Sequence, residues 1–441
     1  MKLLRKRSFS VSVKRKRTYL IVWLTVGTMA AAQSTDSARI VRAISIAGNE
    51  TTKEYVITRE LAMKTGDTLT AASLEFNRNR VYNLQLFNKV EAEQRDVDGG
   101  VAVTFRVYER WYIFPRPVLG FKYRDLEKFY YGAGLSHANF RGRNEKLFVS
   151  FATGYDQWIN FVYQNPKLTA DDDIFFRLTL QYQNQHSLNV SSVEYLNTNY
   201  NANVSLGKRY GLFSTVVATY GYTSLHVGDL VPGRTVSADG TDEFFWLNAS
   251  YSYDSRNVRE YPTDGMLFSG SISKFGFGAS PLDIISYHAD VRKFYPLNET
   301  FSFGVRSFAT TTVGGVVPEH KRTFFGFDER VRGYFRDRLE GESSWGVNAE
   351  VRFPLLPPET HELDFIPLDQ FKYFRFGIYG GLFADAGKIW FRNENVLEAP
   401  LYSGVGAGLH FLLGYSMVLR AEAAVNDQGR TQYYFDIGAS F

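Results

Sequence analysis

The chain has 441 residues, no cysteine, 16% aromatic residues led by 37 Phe and 28 Tyr, and 50 Lys plus Arg against 46 Asp plus Glu. The absence of cysteine excludes a disulfide framework and a thiolate metal site. The length admits several soluble domains or one large barrel with an accessory domain, and an aromatic-rich chain that keeps apolar and polar strand faces apart fits the barrel.

Residues 1–18 carry Lys2, Arg5, Lys6, Arg7, Lys14, Arg15, Lys16 and Arg17 and no acidic group, and "YLIVWLTVGTMAAA" follows from Tyr19 to Ala32. A basic start, a short apolar core and the small-residue site Ala30-Ala31-Ala32 predict a secretory signal peptide over 1–32, cleaved from the mature chain. The core is shorter than the roughly twenty residues that a spanning helix needs. Taking eight from the 50 basic residues leaves 42 against 46 acidic ones, so the mature chain is mildly acidic and gives no reason to expect nucleic acid as a partner. After Ala32 there is no apolar run of eighteen residues, so a membrane span would have to be made of strands.

Residues 39–110 have mixed periodicity. "RIVRAISIAGN" reads as a strand stopped by Gly48-Asn49, "TTKEYVITREL" as a helix opened by a threonine cap, and "LTAASLEFNRNRVYNLQLF" as a second helix with Leu74, Val81 and Leu84 at helical spacing. "KVEAEQRDVDGGVAVTFRVYE" then gives two strands around Asp98-Gly99-Gly100. This β-α-α-β-β order, with "IAGN" after the first strand and "NLQLFNKVEA" leading into the second, resembles a POTRA domain. The resemblance implies a periplasmic module that binds extended chains by lending them a sheet edge.

From Trp111 to Phe441 the period is two. In "WGVNAEVRF" Trp345, Val347, Ala349, Val351 and Phe353 share one face, with Asn348, Glu350 and Arg352 on the other; "FFRLTLQYQ" sets Phe176, Leu178, Leu180 and Tyr182 against Arg177, Thr179, Gln181 and Gln183. Faces this polar do not suit a sandwich core, but an apolar outside and a polar lumen explain both at once. At roughly twenty residues per strand and connection, 111–441 holds about sixteen antiparallel strands. The fold class is therefore an all-β transmembrane barrel preceded by a small α+β domain. The final strand, "QYYFDIGASF", puts Tyr433, Phe435, Ile437, Ala439 and Phe441 outward and resembles the terminal insertion signal of outer-membrane barrels. The first barrel strand falls within "WYIFPRPVLGFKY", where Pro115 and Pro117 lack backbone donors, so the junction with the last strand should be thin and able to open sideways.

One segment breaks the alternation: "FDERVRGYF", Phe327 to Phe335. "VRGY", Val331-Arg332-Gly333-Tyr334, resembles the loop motif of the BamA/TamA superfamily of outer-membrane proteins, which insert or export other polypeptides. "NFRGRN" from Asn139, "QNPKL" from Gln164, "YPTDG" from Tyr261 and "FADAGKIW", with Phe383, Asp385 and Gly387, resemble further motifs of that family in the same order. The resemblance implies a loop folded into the lumen with its arginine on inward carboxylates. Strand parity puts Phe383, Asp385 and Glu350 inward, so Asp385 and Glu350 are the expected partners of Arg332, whose planar fork can bridge two carboxylates where lysine cannot.

No enzyme is expected. The seven histidines, at 137, 186, 226, 288, 320, 361 and 410, show no metal-ligand spacing, "GVGAG" at Gly404 is followed by no phosphate-binding helix, and Asp171, Asp172 and Asp173 read as an acidic turn. Neither a cofactor nor a metal is expected. The expected partners are unfolded or nascent polypeptides and outer-membrane lipid, around a monomeric barrel in a Gram-negative-type outer membrane with residues 39–110 in the periplasm. The alternatives are a secretion pore for one partner protein and, from another class, a passive diffusion porin.

Overall fold

The computed structural model describes residues 39–122, 125–169, 172–188, 193–278, 280–325, 331–335, 337, 339–414 and 417–438. The expected signal peptide and the terminal Phe441 lie outside the described residues.

The N-terminal domain runs β1 (Arg39–Ala47), α1 (Glu54–Thr58), β2 (Thr68–Leu69), α2 (Ala71–Tyr82), β3 (Phe87–Val97) and β4 (Gly100–Glu109). Its sheet order is β2-β1-β4-β3, with β1 parallel to β4 and β3 antiparallel to it, so among the described residues β3 is an edge strand with no ladder on its outer side. Val101, Val103, Phe105 and Val107 alternate inward along β4 and pack beneath the helices with Val41, Val56, Ile57 and Val81. The two-residue β2 was not expected. Helix α2 starts at Thr70, whose hydroxyl accepts from Ser73 N at 3.0 Å while Ser73 Oγ accepts from Thr70 N at 3.0 Å. The threonine cap expected for α1 is absent: its N-cap is Lys53 with no side-chain bond. Thr52 is engaged elsewhere, its hydroxyl 3.0 Å from that of Tyr112 and accepting from Asn139 Nδ2 at 2.9 Å.

The second region begins with β5 (Ile113–Phe121), β6 (Phe129–Phe140), β7 (Glu145–Gly154), β8 (Gln157–Asn165), β9 (Ile174–Leu188) and β10 (Glu194–Tyr210). It continues with β11 (Ser214–Val227), β12 (Thr241–Asp254), β13 (Gly265–Phe275), β14 (Ile284–Pro296) and β15 (Ser302–Gly314). A long connection then carries the short pair β16 (Thr323–Phe325) and β17 (Leu339–Gly341). The chain ends with β18 (Ser343–Glu362), α3 (Asp369–Lys372), β19 (Tyr373–Trp390), β20 (Tyr402–Leu413), β21 (Met417–Asn426) and β22 (Thr431–Ile437). All but β16 and β17 of these strands form one 16-stranded sheet in which each pairs antiparallel with its neighbour in sequence, β15 with β18.

Face assignment follows the period of two. Trp345, on the apolar face of β18, is 40% exposed, while Asn348, Glu350 and Arg352 are buried. On β22, Tyr433, Phe435 and Ile437 are exposed and Gln432 and Tyr434 buried. The sheet is an apolar-outside, polar-inside barrel, and no described helix is long and apolar enough to cross a membrane.

The N-terminal domain docks against one end of the barrel, here called the domain end. Glu60 accepts from Arg80 Nη2 and from Arg209 Nη1, each at 2.5 Å. Asn83 Nδ2 donates to Asn257 O at 3.0 Å and its Oδ1 accepts from Arg259 N at 3.0 Å. The "NFRGRN" turn lies against the same domain: Lys53 N donates to Gly142 O at 2.8 Å. Gly142 has φ +71°, and a Cβ there would meet Thr51 O at 2.1 Å, so the close approach requires glycine. Strands β18 and β19 also run past the rim as a long hairpin. Pro354, Pro357 and Pro358 interrupt the alternation there, and the register shifts twice between Pro354 and Glu359.

Candidate functional site

The VRGY segment lies inside the barrel. Arg332, 4% exposed, donates from its backbone N and its Nε to Asp385 Oδ2 at 2.9 and 2.8 Å, and from Nη2 to Asp385 Oδ1 at 2.9 Å. Its Nη1 donates to Glu350 Oε2 at 2.5 Å and to Glu422 Oε1 at 3.3 Å. Its guanidinium stacks on Phe383, with Cζ 3.6 Å from the ring centroid. One planar fork thus joins carboxylates from β18, β19 and β21, a geometry that an ammonium could not reproduce.

Glycines make the space. Gly333 has φ +103° and faces the backbone of Asn426, whose Nδ2 donates back to Gly333 O at 3.2 Å. A Cβ on Gly404 of β20 would sit 1.9 Å from Arg332 O, and one on Gly406 would sit 2.6 Å from the Phe383 ring. Gly387 leaves room for Phe325, which packs with Phe308, Val331, Tyr334 and Ile389. Tyr334 donates to Asp427 Oδ1 at 2.5 Å and meets Tyr402 edge-on. Further along, Phe335 stacks on Tyr434 at 5.0 Å, and Asp337 Oδ2 accepts from Gln432 Nε2 at 3.0 Å, so the segment reaches the last strand.

Val331, Arg332, Gly333, Tyr334, Phe383, Asp385, Gly387 and Glu350, named from the sequence, all meet in this node. Tyr433, Phe435 and Ile437 are a separate outward row on β22. Sequence reasoning missed Glu422 and His410. His410 is fully buried, with Nδ1 2.7 Å from Tyr261 OH and Nε2 3.3 Å from Glu422 Oε1. Glu350, His410 and Glu422 bring potential ligand atoms within 4.8 Å of one another, but the countercharge comes from Arg332, Arg352, whose Nε donates to Glu350 at 2.6 Å, and Arg420, whose Nη1 donates to Glu422 at 3.1 Å.

The two ends of the barrel sheet are β5 and β22, and among the described residues no ladder joins them. β5 pairs with β6 over Ile113–Phe121, and Pro115 and Pro117, two apart, place their missing donors on the same side of the strand. Beside the domain a cleft of about 870 Å³ opens between α2, β3 and the barrel, lined by Leu74, Arg78, Val90 and Gln94 and by Pro358 and Arg375 of the long hairpin.

These features define a class: a transmembrane β-barrel whose lumen holds an arginine-pinned segment, whose sheet ends no ladder joins among the described residues, and which carries one α+β domain at its mouth. Residues 139–441 match the Omp85 superfamily domain and residues 40–110 match the POTRA model, described as surface antigen variable number repeat. The chain belongs to the Omp85 superfamily and has one POTRA domain. Its fold is similar to BamA from Haemophilus ducreyi lacking POTRA domains 1–3, at TM-score 0.54 and 17% identity over 91% of this chain and 84% of that one. It is equally similar to CdiB from Escherichia coli, at TM-score 0.54 and 10% identity over 94% and 93%, and resembles CdiB from Acinetobacter baumannii at 0.51 and 17% over 90% and 73%.

Proposed function

We propose that this chain is an outer-membrane insertase or translocase. After removal of a signal peptide at 1–32, residues 39–110 form a periplasmic POTRA domain that receives client polypeptides, and residues 111–441 form the barrel that inserts or passes them. The observation that carries this reading is the pair of edges β5 and β22, which no ladder joins among the described residues, beside a lumen occupied by the Arg332 segment. A lumen that holds the Arg332 segment does not suit a diffusion porin, whereas an edge with unpaired backbone groups can pair with a client strand. The outer edge of β3, facing the cleft at the barrel mouth, gives that client a first place to add as a strand.

Insertion and export for one partner are two outcomes of the same device, and the fate of the client separates them. A photo-crosslinking residue at Gln94 in β3 or Leu119 in β5 should trap polypeptides in growing cells. Clients recovered in the membrane indicate insertion, and clients recovered outside the cell indicate export. If neither position traps a polypeptide, and single-channel recording shows a large steady conductance, the protein is a porin and the proposal is wrong.

A further inference from the structure

A run of direct contacts leads from the Arg332 node to the POTRA domain through His410, Arg352 and the turn that opens the "YPTDG" segment. From Glu422 it passes to His410 Nε2 at 3.3 Å and from His410 Nδ1 to Tyr261 OH at 2.7 Å. From Glu350 it passes to Arg352 Nε at 2.6 Å, and Arg352 Nη1 donates to Pro262 O at 3.1 Å. Both branches reach the turn between β12 and β13, residues 255–264. Arg352 also lies over the Tyr261 ring, its Cζ 4.7 Å from the centroid. The other end of that turn is held by the domain: Asn83, at the end of α2, bonds Asn257 O and Arg259 N, each at 3.0 Å. Tyr82 OH donates to Glu260 Oε1 at 3.2 Å, and Arg375 pairs with the same carboxylate.

We infer that Tyr261, His410, Glu422 and Arg352 are positioning residues that couple docking of the POTRA domain to retention of the Arg332 segment in the lumen. The inference rests on reading that segment as the pinned element of the device. Tyr261 and His410 are both buried, so loss of one leaves the other's polar atom without water to replace it. The turn is held at both ends, by Asn83 of the domain and by His410 and Arg352 of the barrel interior. Lifting α2 from Asn257 and Arg259 frees the turn, which withdraws Tyr261 and the Pro262 carbonyl and loosens the carboxylates that hold Arg332. Coupling of this kind is reciprocal, so release of Arg332 must also loosen the domain.

The chain has no cysteine, so a cysteine placed at Val331, a position 1% exposed, is a unique reporter. Its labelling rate by a water-soluble maleimide measures how often the loop leaves the lumen. In the V331C background, Glu350→Gln is expected to raise the rate at least tenfold. Tyr261→Phe, which keeps the ring, and Asn83→Ala, in the domain and in contact with neither Arg332 nor its carboxylates, should each raise it several-fold, and their combination no further than the faster single change. Each variant is first checked for heat-resistant migration on a gel. Conversely, Arg332→Lys should speed proteolysis between the domain and β5. If Glu350→Gln accelerates labelling while Tyr261→Phe and Asn83→Ala label at the background rate, the loop is pinned but uncoupled and the inference falls. If Glu350→Gln also leaves the rate unchanged, the pinned-loop reading itself fails and takes the inference with it.

Discussion

The two edges of the barrel sheet are built differently. β22 pairs with β21 and is also backed from inside: Phe335 stacks on Tyr434, Asp337 accepts from Gln432, and Arg332 ties β18, β19 and β21 together. β5 pairs with β6 through a strand that carries two prolines. The difference teaches which side is free to move. A buried charged node fixes the C-terminal wall, whereas on the N-terminal edge Pro115 and Pro117 remove donors from the side of β5 that faces away from β6, and Leu119 and Phe121 are exposed.

The largest expected effect comes from breaking the braced side. Arg332→Ala leaves Asp385 and Glu350 buried without their cation, and a broken buried pair typically costs about 3–5 kcal/mol, against about 0–1 for an exposed one. The folded barrel should lose heat resistance on a gel and client handling should fall. Arg332→Lys should recover only part of this, and Asp385→Ala should not add to Arg332→Ala when the two are combined. Fully additive effects would mean that the arginine and the carboxylate act separately.

Next in size is steric eviction. Gly404→Ala puts a methyl where the Arg332 carbonyl oxygen now lies, at 1.9 Å, and overpacking of this kind costs about 1–3 kcal/mol. Faster labelling of the V331C reporter with all charges intact would tie the loop's position to space on β20. An unchanged rate would show that the loop does not need that glycine.

The comparison can also be sharpened from the weak side. Replacing Pro115 and Pro117 by valine restores two backbone donors, each bond worth about 0.5–1.5 kcal/mol. The edge should tighten, so that heat resistance rises while the rate of client assembly falls. If both properties stay as they were, the prolines do not set the strength of the seam.

The smallest effect concerns the domain contact, which lies outside the spanning strands. Burial by itself would raise the Glu60 carboxyl, but its hydrogen bond to Arg209 and the charges of Arg209, Arg80 and Arg59 hold it below its ordinary 4.5. A carboxylate depressed in the folded state contributes stability above the unfolded value and loses it as pH falls through the folded one. Cleavage between the domain and β5 by an acid-active protease should therefore accelerate below about pH 4.5 in the native chain. In Glu60→Gln it should be fast and independent of pH. A native rate that does not change with pH would remove Glu60 from the contact.

Much of this was legible in the sequence because strands have a period of two and lumen and lipid differ so strongly in polarity. Glu350 and Asp385 were found by counting along "WGVNAEVRF" and "FADAG". The same count places Glu422 inward, since "LRAEAAVN" sets Arg420, Glu422 and Asn426 opposite Leu419, Ala421, Ala423 and Val425, so its signal lies in the same alternation. His410 was harder. Its inward neighbours on β20 are Gly404, Gly406 and Gly408, which give no polar signal because their lack of side chain makes room for Arg332 and Phe383. The expected cap on α1 failed because Thr52 serves a tertiary bond, which local sequence does not reveal. The long hairpin of β18 and β19 was hidden by its prolines, which look like the end of a strand.

Backbone hydrogen exchange tests the asymmetry of the two edges most directly, since each amide reports the free energy of its own local opening. Amides of β5, Ile113–Phe121, should exchange orders of magnitude faster than those of β22, Thr431–Ile437, in the native protein. Arg332→Ala should raise exchange in β22 toward the β5 rate while leaving β5 nearly unchanged. Equal protection of the two strands in the native protein, or a β22 that exchanges no faster without Arg332, would contradict the account of a braced and a free edge.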